Sequence, residues 1–384
     1  AAGIAVAGLD LLPPQLLAYY QEPFQQIRPD SSPVLPSFLY LRRRGAELLM
    51  GAPLDGLAPG TAGRPVGGEL RFMDRPIEYP GRNVIAILRG SDPALRNEYV
   101  AIGAHNDHIG TEARPVAHDS IYIRNHLFRP GGADDPAPRL TPEQTAELNG
   151  AIAAVRARSK GASARPDSID NGADDDGSGS MGVLELAEYF AGRPERPKRS
   201  LLFIWHVGEE EGLYGSEYFT DHPTVPRQAI VAQINVDMIG RGGSGDVTGN
   251  TLAGARIRGN ADYLQLIGSR RLSTELGDLA EAVNRGEKSP LAFDYSMDAN
   301  GHPQNIYCRS DHWNYARYGI PIVFVTTGGH ADYHQVTDEP QYIDYDHTAR
   351  VVSFLAELAS DVANLGHRVV VDKPVPSAGA ECRQ

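Results

Sequence analysis

The stretch SLLFIWHVGEEEGLYGS, residues 200–216, decides how the rest of the chain is read. Its first part, Ser200 to Val207, is a run of large apolar residues entered from a Pro/Lys/Arg turn, which predicts a strand of the fully buried kind. Glu209, Glu210 and Glu211 follow immediately. On a solvated surface such a triplet would continue a polar segment. Emerging from a core strand, these carboxylates need partners, and a metal ion is one that meets the need directly. Neighbouring residues on an extended backbone point in opposite directions, so one glutamate can hold a cation while the next reaches an attacking water.

The same rhythm runs outward in both directions. Strands are expected over Asn83 to Leu88, Glu98 to Ala104, Ala229 to Met238 and Ile320 to Thr326. An amphipathic helix is expected over Ser178 to Phe190, and a long C-terminal helix over Tyr345 to Leu365. Strands alternating with helices imply an α/β fold whose largely parallel sheet is covered on both faces. In such sheets ligands gather beyond the carboxyl ends of the strands. Three segments fall there: His105-Asn106-Asp107, Glu209-Glu210-Glu211 and Asp237. His105 alone is a weak signal, since most histidines are structural. Asp107, two residues on and on the same face, can accept a hydrogen bond from the far ring nitrogen and strengthen His105 as a ligand.

Asp174-Asp175-Asp176-Gly177-Ser178-Gly179 has two readings. Asp176 and Ser178 suit the start of the following helix. Three adjacent carboxylates also repel one another unless a cation intervenes, so one of them can bridge two metals. Asp332-Tyr333-His334, after a Gly328-Gly329 turn, offers a second imidazole and a phenol donor.

Outside this core the chain is irregular. Residues 1–80, punctuated by Pro13, Pro14, Pro23, Pro29, Pro33 and Pro36 and then by glycines, read as an N-terminal appendage. Residues 81–370 are expected to form the main domain, the one that carries the acidic and histidine segments, with an insertion at about 111–170, and 371–384 a C-terminal tail. Within the insertion Thr141, Pro142 and Gln144 spell a capped helix start. A polar insertion beside such residues is a candidate substrate lid, with surface decoration as the alternative. The net charge of −13 disfavours nucleic acid as a partner. No apolar run reaches the ~20 residues of a membrane span. Two cysteines, Cys308 and Cys382, allow one disulfide or two thiols and exclude a cysteine-based zinc site. The first residue is Ala1, not Met, which is compatible with removal of a leader and a secreted or periplasmic location.

Taken together, these motifs resemble the co-catalytic dizinc aminopeptidase family, which includes secreted bacterial aminopeptidases, glutamate carboxypeptidases and, as a non-enzymatic relative, the transferrin receptor ectodomain. The H-x-D pattern falls on His105 and Asp107, D-x-x-S-G on Asp175 to Gly179, and E-E-x-G-L on Glu209 to Leu213. D-M-I-G falls on Asp237 to Gly240, S-D-H on Ser310 to His312, G-I-P on Gly319 to Pro321, and Y-H on Tyr333 and His334. The resemblance implies a three-layer α/β/α sandwich of the phosphorylase/hydrolase-like zinc exopeptidase type, with a mixed, mostly parallel twisted sheet. It implies two zinc ions, one on His105 and Asp237, the other on Glu210 and His334, with Asp175 bridging them and a cis Asp175-Asp176 peptide. Glu209 is then the general base, Tyr333 the oxyanion donor, and peptides the substrates. It also implies that the appendage is the tail of a protease-associated domain. A carboxypeptidase or dipeptidase on the same scaffold shares the metal motifs, and an acidic-substrate carboxypeptidase needs an Arg or Lys in its pocket, with residues such as Arg124, Arg241 or Arg309 as candidates. Glutaminyl cyclase differs at the segments matching Asp175 to Gly179 and Glu209 to Leu213, and a receptor-like relative would have lost ligands.

Overall fold

The computed structural model describes residues 3–12, 17, 37–65, 67, 78–158, 165–377 and 381–384. It divides into two compact units, Ala1–Pro80 and Gly81–Gln384. In the first, β1 (Gly3–Ala7) pairs in parallel with β2 (Ser37–Leu41), and α1 (Arg43–Met50) follows. Ala46 is the one buried apolar residue among those described in this unit. The proline-punctuated run from Pro13 to Pro36, on which the protease-associated reading rests, lies outside the described residues except for Leu17.

In the second unit the elements run β3 (Val84–Leu88), β4 (Tyr99–His105), β5 (Thr111–Ala117), α2 (His118–Phe128), α3 (Pro142–Arg158), β6 (Pro166–Ile169), α4 (Gly177–Gly192), β7 (Ser200–His206) and α5 (Tyr214–Asp221). They continue with β8 (Ile230–Val236), β9 (Val247–Asn250), β10 (Arg256–Arg258), β11 (Tyr263–Ile267), α6 (Thr274–Gly286), β12 (Ala292–Asp294), α7 (His312–Ala316), β13 (Ile322–Thr326) and α8 (Tyr345–Asn364). Seven strands form one sheet in the order β12-β11-β13-β8-β4-β7-β3. The four central strands, β13, β8, β4 and β7, are parallel, and the antiparallel pairings are β3 with β7 and β11 with β13.

The central strands read as continuous apolar runs because both of their faces are covered. On β4, Val100, Ile102 and Ala104 point into one layer and Ala101 into the other. On β7, Leu201 and Phe203 oppose Leu202 and Ile204 in the same way. Each of the Val, Leu, Ile and Phe side chains among them contributes roughly 1.5–3 kcal/mol by leaving water. One layer is α4, α6 and α8; the other holds α5 and α7. Helix α8 buries Val351, Phe354, Leu355, Leu358, Ala359 and Val362, the stripe a 3.6-residue period presents to a core. The result is an α/β/α sandwich with a mixed sheet.

The insertion forms a two-stranded antiparallel sheet, β5 with β6, and the helices α2 and α3. Helix α3 starts as its sequence predicts: Thr141 Oγ1 accepts from Gln144 N at 3.2 Å, and Gln144 Oε1 accepts from Thr141 N at 3.0 Å. No residue of α3 described here is buried. The two cysteines, left open by spacing, are bonded to each other, with Cα atoms 5.7 Å apart.

Candidate metal centre

Strand ends deliver the acidic and histidine side chains to one place. His105 closes β4, Glu209 and Glu210 follow β7 across Gly208, and Asp237 follows β8. Asp175 comes from the turn before α4, and His334 from the loop after β13. Asp175 lies between the two imidazoles: its Oδ1 is 3.1 Å from His105 Nε2 and its Oδ2 is 2.9 Å from His334 Nε2. Each imidazole faces a second carboxylate, His105 that of Asp237 at 3.7 Å and His334 that of Glu210 at 3.0 Å. Two side-by-side clusters result. His105, Glu209 and Asp237 form one; His108, Asp175, Glu210 and His334 form the other. Within each, potential ligand atoms lie no more than 4.8 Å apart.

Backbone amides hold these carboxylates in place. Asp176 caps α4 through Gly179 N and also accepts from Met238 N and His105 N, at 2.9, 3.1 and 3.1 Å, tying the ends of β4 and β8 to the helix. The Asp175-Asp176 bond is cis, as the resemblance implies. Asp338 Oδ2 accepts from Asp174 N at 3.0 Å and from Asp175 N at 3.1 Å. Ser310 Oγ donates to Asp237 Oδ2 at 2.7 Å. Asp107 behaves differently from the expectation. The ring nitrogen Nδ1 of His105 bonds the backbone carbonyl of Asp107 at 3.0 Å, while the Asp107 carboxylate stands 3.8 Å away. That carboxylate is taken by the amides of Glu209 and Glu210, at 3.2 and 3.3 Å. Asp107 therefore fixes the tautomer of His105 through its main chain and the glutamate turn through its side chain.

So much negative charge demands compensation. Burial would lower the His105 imidazole, but the Glu209 charge and the facing carboxylates of Asp175 and Asp237 carry it well above its ordinary value. Burial likewise opposes protonation of His334, and Asp175 and Glu210 overcome it, raising that group to about 10. Burial pushes Glu209 well above the usual carboxylate range; the His105 charge opposes this, while Asp237, Asp311 and Asp175 add to it. Protons on the imidazoles are one source of positive charge here, and divalent cations are the other. The donor set fits cations: Nε2 of both His105 and His334 is buried without a hydrogen bond, and both face Asp175. Three or fewer neutral or anionic donors per cluster plus a shared carboxylate is a set zinc accepts.

His108 is the residue the sequence reading missed. Its Nδ1 lies 2.8 Å from Glu210 Oε1, and its ring packs edge-on against His334 at 5.4 Å. The signal was its place directly after Asp107, but three residues beyond His105 it falls off the period-2 face that His105 and Asp107 share. Gly172 makes the approach possible: at φ 58°, a Cβ there would lie 2.2 Å from the Asp175 carbonyl and 2.6 Å from the His108 ring. His118, Asp167 and Glu339 form a third cluster, but the Arg165 guanidinium pairs with both Glu339 and Asp167.

A cavity of about 350 Å³ opens onto the clusters, bordered by Asp175, Glu209, Glu210, Asp237, Tyr333 and His334. Its other walls are mainly apolar, with Met238, Val247, Met297, Ile306 and Phe324. Three of the four non-glycine residues with left-handed backbone among those described, Leu213, Met238 and His334, lie on this cavity. Such strain collects where surrounding structure holds a functional geometry.

The chain is similar to known proteins over parts of its length. It is 36% identical over 72 residues to a vacuolar membrane protease of Verticillium alfalfae, a match covering 19% of this chain and 7% of that protein. It is 29% identical over 205 residues to a probable leucine aminopeptidase of Arthroderma benhamiae, covering 49% of this chain and 48% of the relative. The chain thus spans less than half of the length of these relatives. Among solved structures, the aminopeptidase of Aneurinibacillus sp. strain AM-1 aligns over 77% of this chain and 51% of its own, at 19% identity and a TM-score of 0.45. The model of peptidase family M28 matches residues 157–359, more than half of the chain and including Asp175, Glu209, Glu210, Asp237 and His334, and the chain belongs to that family.

Proposed function

We propose that this protein is a two-zinc exopeptidase that removes unblocked N-terminal residues from peptides. The observation that carries the reading is the Asp175 carboxylate held between His105 and His334, each with its own further carboxylate partner. His105 and Asp237 would hold one zinc, Glu210 and His334 the other, and Asp175 both. Two zinc ions there would supply the Lewis acidity that polarises a scissile carbonyl and acidifies the attacking water. Glu209, buried beside His105 and Asp237, takes the proton of that water and hands it to the leaving amine. Tyr333 donates a hydrogen bond to the oxyanion that develops. His108 orients Glu210, and Ser310 orients Asp237.

The cavity supports an aminopeptidase over an acidic-substrate carboxypeptidase. A carboxylate on the substrate needs an uncommitted cation. Arg309 and Arg256 border the cavity, and each is paired, with Asp134 and Asp135 respectively. Of the other candidates, Arg241 pairs with Asp332 and Asp246, and neither it nor Arg124 borders the cavity. The apolar walls suit an apolar side chain at the cleaved residue, in keeping with the relatives named leucine aminopeptidase. The Cys308–Cys382 bond supports a secreted or periplasmic location, where disulfides persist.

A panel of aminoacyl anilides, with and without an N-terminal block, tests the reading on one preparation. Turnover of only the unblocked compounds, loss on chelation, recovery with zinc and two zinc ions per chain are expected. Equal turnover of blocked substrates, or none of any, would remove the aminopeptidase assignment.

A further inference from the structure

Tyr333 is not free to swing. Arg309 Nη2 donates to its phenol oxygen at 3.0 Å. A guanidinium has only donors to give, so the phenol oxygen accepts here and its own hydrogen must point elsewhere. The Tyr333 side chain borders the cavity together with Asp175 and Glu210. A donor-only cation on one side of the oxygen therefore leaves the O–H for a group in the cavity and strengthens it as a donor.

Arg309 is itself held by the insertion. Its Nη1 and Nη2 bond Asp134 Oδ2 and Oδ1 at 3.1 and 3.0 Å, the paired geometry that fixes a guanidinium in plane as well as in position. Asp134 sits on a segment docked by its main chain. Ala133 N donates to the Tyr333 carbonyl at 3.0 Å. Gly132, at φ 57°, lies so close that a Cβ would come within 2.6 Å of the His330 carbonyl and 2.7 Å of the Tyr333 carbonyl. The next residue, Asp135, pairs with Arg256 at 2.7 Å and accepts from Gly131 N at 2.8 Å. The contacts close a ring: the Tyr333 backbone seats the insertion, the insertion seats Arg309, and Arg309 seats the Tyr333 side chain.

We propose that Arg309 is a positioning residue for Tyr333 and that Asp134 of the insertion anchors it, so that the insertion serves turnover without touching the reacting atoms. The proposal rests on the role given to Tyr333 under the proposed function.

A double-mutant cycle separates this from a merely structural ion pair. R309M, Y333F and R309M/Y333F are prepared with zinc and assayed on leucine 4-nitroanilide, with D134N as a milder variant that keeps Arg309. An oxyanion donor is worth about 10²–10³ in kcat, and loss of its orientation should cost a share of that, about tenfold or more. R309M should therefore lower kcat by about tenfold in the wild-type background and by less than about twofold in Y333F, with KM within about threefold. D134N should lower kcat less, in the same direction. In metal-free protein labelled with [13Cζ]tyrosine, the resonance absent from Y333F should move in R309M and D134N. Equal losses in both backgrounds, a loss carried by KM, or an unmoved resonance would each overturn the proposal while leaving the aminopeptidase reading intact. A wild-type protein that turns over no unblocked substrate would end both.

Discussion

Replacing Glu209 by Gln is the sharpest test of the centre, because the geometry allows Glu209 two roles. It lies in the same cluster as His105 and Asp237, close enough to be a ligand, and it is the carboxylate that the proposed chemistry uses as a base. The substitution keeps the side-chain shape. It also keeps the main-chain bond from Glu209 N to Asp107 at 3.2 Å, so the turn after β7 should stand. What disappears is the ability to take a proton. A positioned general base contributes about 10²–10⁴ in rate, so kcat on leucine 4-nitroanilide should fall by that factor. That is about 2.7–5.5 kcal/mol in the barrier. Zinc content on the same sample should stay at two per chain, and the urea midpoint should not fall, since a carboxylate with its affinity for protons raised by burial gives way to a neutral amide. Retention of activity within about threefold would refute the base assignment, the mutational loss expected of a base being far larger. Loss of one zinc would instead make Glu209 a ligand, and the proton acceptor would have to be sought elsewhere.

Three further outcomes follow from the same contacts. Asp176→Asn puts an amide donor against one of the three amides that Asp176 now accepts, and denaturant titration should show about 2–4 kcal/mol lost, the scale of buried unmade hydrogen bonds. Cys308→Ser with Cys382→Ser opens a loop spanning 74 residues of sequence and should cost up to about 4 kcal/mol in the chain-entropy limit, read as a lower thermal midpoint in the absence of reductant. In chelator-treated protein the raised His334 stabilises the fold fully below its ordinary value of 6.5, and that contribution is lost as pH climbs through about 10. The urea midpoint of metal-free protein should fall across that window, and zinc affinity should rise across it as the proton is given up; a flat midpoint would contradict the charge balance described.

The fold was legible because its core strands announce themselves. Leu201 to Ile204 and Val100 to Ala104 are apolar on both faces, and only a covered, largely parallel sheet buries both. The strand-end positions of His105, Glu209, Glu210 and Asp237 could be read for the same reason, since a strand's last residue is visible where the apolar run stops. Asp175 and His334 were harder: they sit in loops, where residue chemistry marks an acidic triplet and a spare imidazole, and only the motif resemblance picks Asp175 out of the three and gives His334 its place. His108 escaped because nothing in a period of two marks a third residue along. The Asp107 carboxylate was assigned the wrong partner because i and i+2 do share a face, but two amides of the Glu209 turn, 102 and 103 residues away, compete for it at better geometry. Pairings across such separations have no local signature.

The insertion shows this most fully, and its two halves should respond differently to change. Sequence offered a lid or a decoration. The structure shows two unlike halves: α3 buries none of its described residues, whereas Gly131 and Asp134 border the cavity and Gly132 packs on the backbone beside His334. Ala153→Pro, at an exposed position inside α3, should cost about 3 kcal/mol of helix and melt it locally. Since the residues bordering the cavity come from outside α3, kcat should change little. Gly132→Ala removes no functional group at all, yet its methyl would have to displace the main chain that carries Tyr333 and His334, at a backbone angle a side chain resists. Its kcat should fall while α3 stays folded by circular dichroism. Were Ala153→Pro to abolish turnover and Gly132→Ala to spare it, α3 would be the working part of the insertion, and the ring of contacts through Asp134 and Arg309 would have no part in catalysis.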